Sequence, residues 1–206
     1  RYYGCFDTVP DKPSRSNASQ DPDHLAGGRL KVRGVELRQS SACGVVVRTQ
    51  ERFLSAMAAA RDADDFRARL PEGLAAARAV VAEVARGDAP FDDLVITLHV
   101  SRELEDYRQR NDAHAALKQL AKRGVRVPAG DAVRFVLLDA GNPDPVRRLV
   151  EARLATGREA YDRDAYVRLA LRGLESLTLP LGYDAAALKA LFQGRVQTRL
   201  VLPRTA

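Results

Sequence analysis

Apolar positions change period along the chain, and each change predicts an element. Residues 28–39 alternate, with Leu30, Val32, Val35 and Leu37 set between charged residues; that is the two-residue period of a half-buried strand. Tyr2, Tyr3 and Phe6 predict a shorter aromatic strand over residues 1–6. Between the two, residues 7–28 are rich in Pro, Ser, Asp and Gly and have no apolar period, which predicts a long hairpin loop. From Thr49 the period becomes helical, with Thr49 as N-cap and Phe53, Leu54, Met57 and Ala60 on one face. A second helix is predicted from Pro71 to Arg86, turning Leu74, Ala77, Val80, Val81 and Val84 inward and stopping at Gly87.

Shorter elements follow. Asp92-Asp93 precedes an apolar run to Val100 that predicts a buried strand, and Ser101 opens a short segment to Arg108. Asn111 caps a helix closed by Gly124, and Val125–Val127 and Val133–Leu137 read as two strands about the Gly130-Asp131 turn. Residues 143–158 read as a basic, irregular or helical insertion. A helix opens at Asp162, lined by Val167, Leu169, Ala170, Leu174 and Leu177 and ended at Leu179-Pro180; another runs from Asp184 to about Phe192. The tail, 195–206, has three Arg and no acid. The sum is an α+β fold, mainly helical, with a bundle, a small β subdomain and an N-terminal β-hairpin, without internal repeat or heptads.

The 206 residues carry a formal charge of +6, which favours polyanionic partners. Only five of the 33 basic residues are lysine, a bias that a GC-rich genome also produces and that is discounted here. No apolar run approaches the ~20 residues needed to span a bilayer, and no signal-peptide pattern is present; the expectation is no membrane partner. Cys5 and Cys43 lack the paired spacing of a zinc site, and His24, His99 and His114 are scattered. Reduced thiols, an intracellular location and no structural metal are expected.

Enzymatic motifs are missing. The chain has no Gly-x-Ser-x-Gly elbow, no phosphate loop, no HExxH and no Cys–His cluster. Asp92-Asp93 and Asp162-x-Asp164 are paired acids that capping explains better than catalysis. By itself the chain is expected to catalyse nothing.

The polar face of the 28–39 strand holds the most distinctive chemistry. Arg29, Lys31, Arg33 and Arg38 face only Glu36 in opposition. Alternate residues on a strand project about 7 Å apart, near the spacing of phosphates along a nucleic-acid strand. Gly34 has no Cβ and lets another backbone come close. The same pattern also suits a solvated face or an edge strand charged against aggregation.

Arg1-Tyr2-Tyr3-Gly4 followed by Leu30-Lys31-Val32-Arg33-Gly34-Val35-Glu36-Leu37-Arg38 resembles the last palm strands of family B DNA polymerases, archaeal and archaeal-like, where a basic Tyr-x-Gly motif leads into a Lys-x-Arg-Gly-Ile/Leu-Glu strand. A second match lies in Leu94-Val95-Ile96, Ser101 with Leu104 and Tyr107, Ala113 and Ala116, Gly124, Gly130-Asp131 and Val133 to Leu137, which follow the order and spacing of family thumb domains. Tyr161-Asp162 with Tyr166 resembles the thumb's Tyr-Asp-x-x-Tyr helix, which packs the small subdomain on the bundle.

The resemblance implies a palm-edge hairpin over 1–48 with the 7–28 loop, a thumb domain over 49–194 and a basic tail. It implies a grip on primer–template duplex through sugar-phosphate contacts. Arg1, Tyr2, Lys31, Arg33 and Arg38 would be the first contacts, with Gly34 permitting close approach and Arg48, Tyr107 and Arg108 ranking second. Tyr161 and Tyr166 read as packing residues. The palm and fingers of the same polymerase would be partners, the protein a monomer in the prokaryotic cytoplasm, at the nucleoid, acting in replication or repair. The catalytic aspartates, and the Mg2+ they would hold for nucleotidyl transfer, belong to a parent enzyme outside this stretch; no cofactor is expected here.

Two departures from the family pattern stand out. The loop is longer than the usual connection, and Gln39-Ser40 replaces a pair of cations. The second departure motivates another reading, a non-catalytic structural or interaction domain of a degenerate polymerase-like protein. An unrelated basic α+β domain is the remaining alternative.

Overall fold

The computed structural model describes residues 42–108 and 111–194, and the backbone pairing of 7–10 with 28–31. β1 (Asp7–Pro10) and β2 (Gly28–Lys31) form an antiparallel ribbon that sets Asp7 opposite Lys31 and Pro10 opposite Gly28. Chain assigned to the loop therefore begins as strand, and the connection shortens to 11–27. The strand over 1–6, the remainder of the 29–39 strand and the tail lie outside the described residues.

α1 (Gly44–Ala58) starts at Gly44, ahead of the expected Thr49. Val45 and Val46 are buried, so tertiary packing overrides the weak helix propensity of the Val run. Thr49 is interior, and its hydroxyl donates back to the Val45 carbonyl at 2.7 Å instead of capping. Phe53, Leu54 and Met57 form the buried face as expected.

α2 (Ala63–Arg86) is longer than expected and holds Pro71 inside it. Its start is fixed by Asp62, whose carboxylate accepts from the amides of Asp64 and Asp65. Those two acids also favour the positive end of the helix dipole. The predicted stripe Leu74, Ala77, Val80, Val81 and Val84 is buried throughout. Gly87 terminates the helix with φ +97, a left-handed conformation that side chains resist.

A short α3 (Phe91–Leu94) leads into β3 (Ile96–His99). Ser101 caps no α-helix; a 3₁₀ turn at Leu104–Asp106 follows instead. α4 (Asp112–Ala121) is capped by the Asn111 side chain on the His114 amide, as its sequence predicts. Of the two strands expected about Gly130, only β4 (Ala132–Leu137) forms. It pairs antiparallel with β3 on one side and on the other with β5 (Leu149–Glu151), which follows the four-residue α5 (Pro145–Arg148). The stretch read as a basic, irregular or helical insertion thus supplies a short helix and, beyond that expectation, an edge strand. Gln119 of α4 secures it, donating to the Val146 and Leu149 carbonyls and accepting the Glu151 amide.

α6 (Arg163–Thr178) and α7 (Ala185–Phe192) begin at the predicted caps, Asp162 and Asp184. α1, α2, α6 and α7 pack around Phe53, Leu54, Leu70, Leu174 and Leu188. The sheet and α4 enclose a core of their own, built on Ala116, Leu120, Val133, Phe135 and Leu149. A third cluster joins bundle and lobe through Val45, Val84, Leu94, Val95, Val136 and Tyr166. The expected mainly helical α+β architecture, a bundle beside a small antiparallel sheet, is what these residues form. No described helix is long and apolar enough to cross a membrane.

Candidate nucleic-acid interface

The cationic ribbon enters the structure at β2, with Lys31 as its last residue, backbone-paired to Asp7. Arg1, Tyr2, Arg33, Gly34 and Arg38 lie outside the described residues. The three second-rank candidates are placed, and in different surroundings.

Arg48 extends from α1 between two acids. Its guanidinium reaches Glu83 of α2 at 2.9 Å and Asp93 of α3 at 3.2 Å, with its side chain 25% exposed. The arrangement depends on close backbone approach: a Cβ built on Gly44 would sit 2.6 Å from the Asp93 Cα. One cation tied to two carboxylates presents little free positive field to a phosphate. Arg48 therefore binds α1, α2 and α3 together in this conformation.

Tyr107 is half-buried after the 3₁₀ turn, its ring 6.1 Å from that of His114 and packed against the α4 core. Arg108 beside it is exposed and carries no ion pair among the described residues. Arg48 and Arg108 thus sit on separate parts of the fold, one on the bundle and one on the small lobe.

Other exposed cations went unsingled by sequence reasoning. Lys118, Lys122 and Arg123 crowd the end of α4, and Arg134 stands on β4 opposite Thr97. None of these has an ion pair among the described residues. The signal was present for α4: Lys118 and Lys122 are four residues apart, on the side away from the buried Ala113, Ala116, Leu117 and Leu120. By contrast Arg126 is paired to Glu103 at 3.3 Å and Arg153 to the buried Glu151 at 3.4 Å.

Tyr161 and Tyr166 act as the packing residues expected of them, and Asp162 opens α6 as its cap. The Tyr161 hydroxyl donates to the Val84 carbonyl at 2.9 Å and accepts the Ala89 amide at 3.3 Å. The Tyr166 hydroxyl donates to the Leu94 carbonyl at 2.5 Å and accepts the Leu137 amide at 3.0 Å. Burial, the dominant influence on Tyr166, pushes its pKa well above the usual tyrosine value. Asp162 caps α6 on the Ala165 amide and also takes the Ala140 amide, both at 2.8 Å. Among the described residues no group of three or more His, Cys, Asp or Glu stands together as a metal site.

Comparison with known proteins fits this geometry. The family description "DNA polymerase family B" matches residues 1–172. Curated relatives include the DNA polymerase of Thermococcus litoralis, 25% identical over 140 residues, covering 68% of this chain and 8% of the relative. The DNA polymerase of Thermococcus sp. (strain 9oN-7) is 24% identical over 157 residues, covering 76% and 19% respectively. Among solved structures, the family B DNA polymerase from the hyperthermophilic archaeon Pyrobaculum calidifontis has a similar fold, with a TM-score of 0.54 at 22% identity over 73% of this chain and 19% of that one. The chain spans less than a fifth of the length of these relatives. With the family description covering the ribbon, the small lobe and most of the helical bundle, the chain belongs to the family B DNA polymerases.

Proposed function

We propose that this chain is the palm-edge and thumb portion of a family B DNA-directed DNA polymerase, and that it holds primer–template duplex by its sugar-phosphate backbone. The observation that carries the reading is the continuity of the family match from residue 1 to 172, which takes in both the cationic ribbon and the small lobe. Arg1, Tyr2, Lys31, Arg33 and Arg38 would lie along the duplex, with Gly34 allowing close approach. On the small lobe, Tyr107 and Arg108 would add contacts, and Arg48 would do so only by exchanging its carboxylate partners.

The rest of the polymerase, palm and fingers, would supply the carboxylates and Mg2+ for nucleotidyl transfer. The whole protein would work as a monomer in the prokaryotic cytoplasm, in replication or repair. Binding of this kind ignores sequence and releases counterions. Fluorescence anisotropy with a labelled primer–template across a salt series tests it. Four ribbon cations on phosphates predict a slope of log Kd against log salt of about 3 to 4; no salt-sensitive association overturns the proposal.

The neutralised Arg48, with Gln39 and Ser40 departing from the cations that the family resemblance implies there, favours a second reading: a non-catalytic structural or interaction domain of a degenerate polymerase. The upstream sequence separates the two. Intact palm aspartates support the polymerase, and their loss supports the scaffold.

A further inference from the structure

Helix α4 packs along two of its sides. Ala113, Ala116, Leu117 and Leu120 enter the core of the small lobe. A second flank faces α5 and β5, where Gln119 donates to the Val146 and Leu149 carbonyls and Asp112 stands 4.0 Å from Arg148. Helical period leaves His114, Lys118, Ala121 and Lys122 on the remaining side. Lys118, Ala121 and Lys122 are exposed, and His114 is half-buried beside the ring of Tyr107.

That side holds no acid. Lys118 and Lys122 are one turn apart, a rise of about 6 Å, and Arg123 follows at the helix end. None of the three has an ion pair among the described residues. The paired acids of the lobe are engaged elsewhere: Glu103 holds Arg126, Asp144 holds Arg147, and Glu151 holds Arg153. Attraction to the negative end of the helix dipole accounts for cations in the last turn of α4. It does not account for Arg108, which follows Tyr107 at the opposite end of the helix and is likewise exposed without an ion pair.

We propose that Lys118, Lys122 and Arg123 form a contact line for the sugar-phosphate backbone of duplex DNA, in addition to the N-terminal ribbon. The proposal rests on the duplex-holding reading and adds residues that no motif in the sequence marks. A one-turn step of about 6 Å is of the order of the spacing between successive phosphates along a strand, so neighbouring cations meet neighbouring phosphates. Lysine brings a compact charge on a flexible stem and lacks the planar fork of arginine. It therefore suits a contact that follows the backbone and reads no base.

The test is anisotropy of a labelled primer–template across a salt series, comparing the 206-residue chain with a variant that combines Lys118→Gln and Lys122→Gln. Glutamine has nearly the helix propensity of lysine and both sites are exposed, so the urea midpoint should be unchanged. The slope of log Kd against log salt should fall by about two, and affinity at low salt at least about tenfold. Lys122→Gln alone, at the helix end, should lower the slope by about one and decides the matter if the double variant does not fold. Arg126→Gln removes a cation of the same lobe that is paired to Glu103, and should leave the slope as it is. An unchanged slope in the double variant, while the parent chain binds with salt dependence, overturns the contact line and leaves the duplex-holding reading standing. An equal fall per charge in Arg126→Gln makes the effect one of net charge and overturns it too. Binding of poly-glutamate that the double variant loses while it keeps the duplex would assign the row to an acidic protein partner, against the proposal. No salt-dependent binding by the parent chain overturns both readings.

Discussion

Gln50 of α1 donates its side-chain amide to the carbonyl of Gly173 in α6 at 2.7 Å, joining positions 123 residues apart. Gln50 is fully buried, so the bond is made away from water. Replacement by Ala removes this donor and opens a void between the two helices. Gln50→Ala should lower stability by about 1–3 kcal/mol, read from urea denaturation; a change within experimental error would mean that the crossing does not rely on this contact.

Arg48 offers a contrast between structural and binding roles. Its ion pairs with Glu83 and Asp93 are partly solvated, so Arg48→Ala should cost only about 0.5–1 kcal/mol of stability. Because its charge is already neutralised, the salt dependence of DNA binding should remain as in the parent chain. A slope reduced by about one, the signature of a lost phosphate contact, would show that Arg48 releases its acids and turns to DNA.

Gly44 has no room for a side chain. An added Cβ would meet the Asp93 Cα at 2.6 Å, and backbone yields less readily than a side-chain tip. Gly44→Ala should displace α3 from α1, costing about 1–3 kcal/mol as overpacked sites do. Its thermal midpoint should fall further than that of Arg48→Ala.

Alkaline pH should destabilise the fold. Desolvation by burial holds the Cys43 thiol above its ordinary 9.0, and the buried Tyr166 hydroxyl above its ordinary 10.0. Both groups are neutral in the folded and unfolded chain at pH 7. Above about pH 9 the unfolded chain loses these protons more readily than the folded one, so stability falls as pH rises. The urea midpoint should be flat between about pH 7 and 8 and then decline; in Cys43→Ala the decline should begin about a unit higher, where tyrosine takes over.

Much of the architecture could be read from local signals. Asn111, Asp162 and Asp184 cap the helices their spacing predicts, because a cap involves residues only two or three apart. The buried stripe of α2 follows from helical period alone. What escaped depends on distant partners. β5 is three residues among arginines, stabilised by pairing with β4 and by Gln119, neither visible in its own sequence. Pro71 resembles a helix start, being favoured at the first position, yet Asp62 with its acidic neighbours is the stronger signal. The candidate interface was readable as charge but not as availability: Arg48 and Arg108 look alike in sequence, and only the fold places two carboxylates on one of them.

The central claim concerns Arg33 and Arg38, and a paired measurement tests it most directly. Anisotropy of a labelled primer–template with the parent chain and with the Arg33→Ala, Arg38→Ala double variant, each across a salt series, gives two slopes of log Kd against log salt. Two lost phosphate contacts predict that the slope of the variant is smaller by about two, with weaker binding to every sequence alike. Equal slopes, or no salt-dependent binding by the parent chain, would contradict the account.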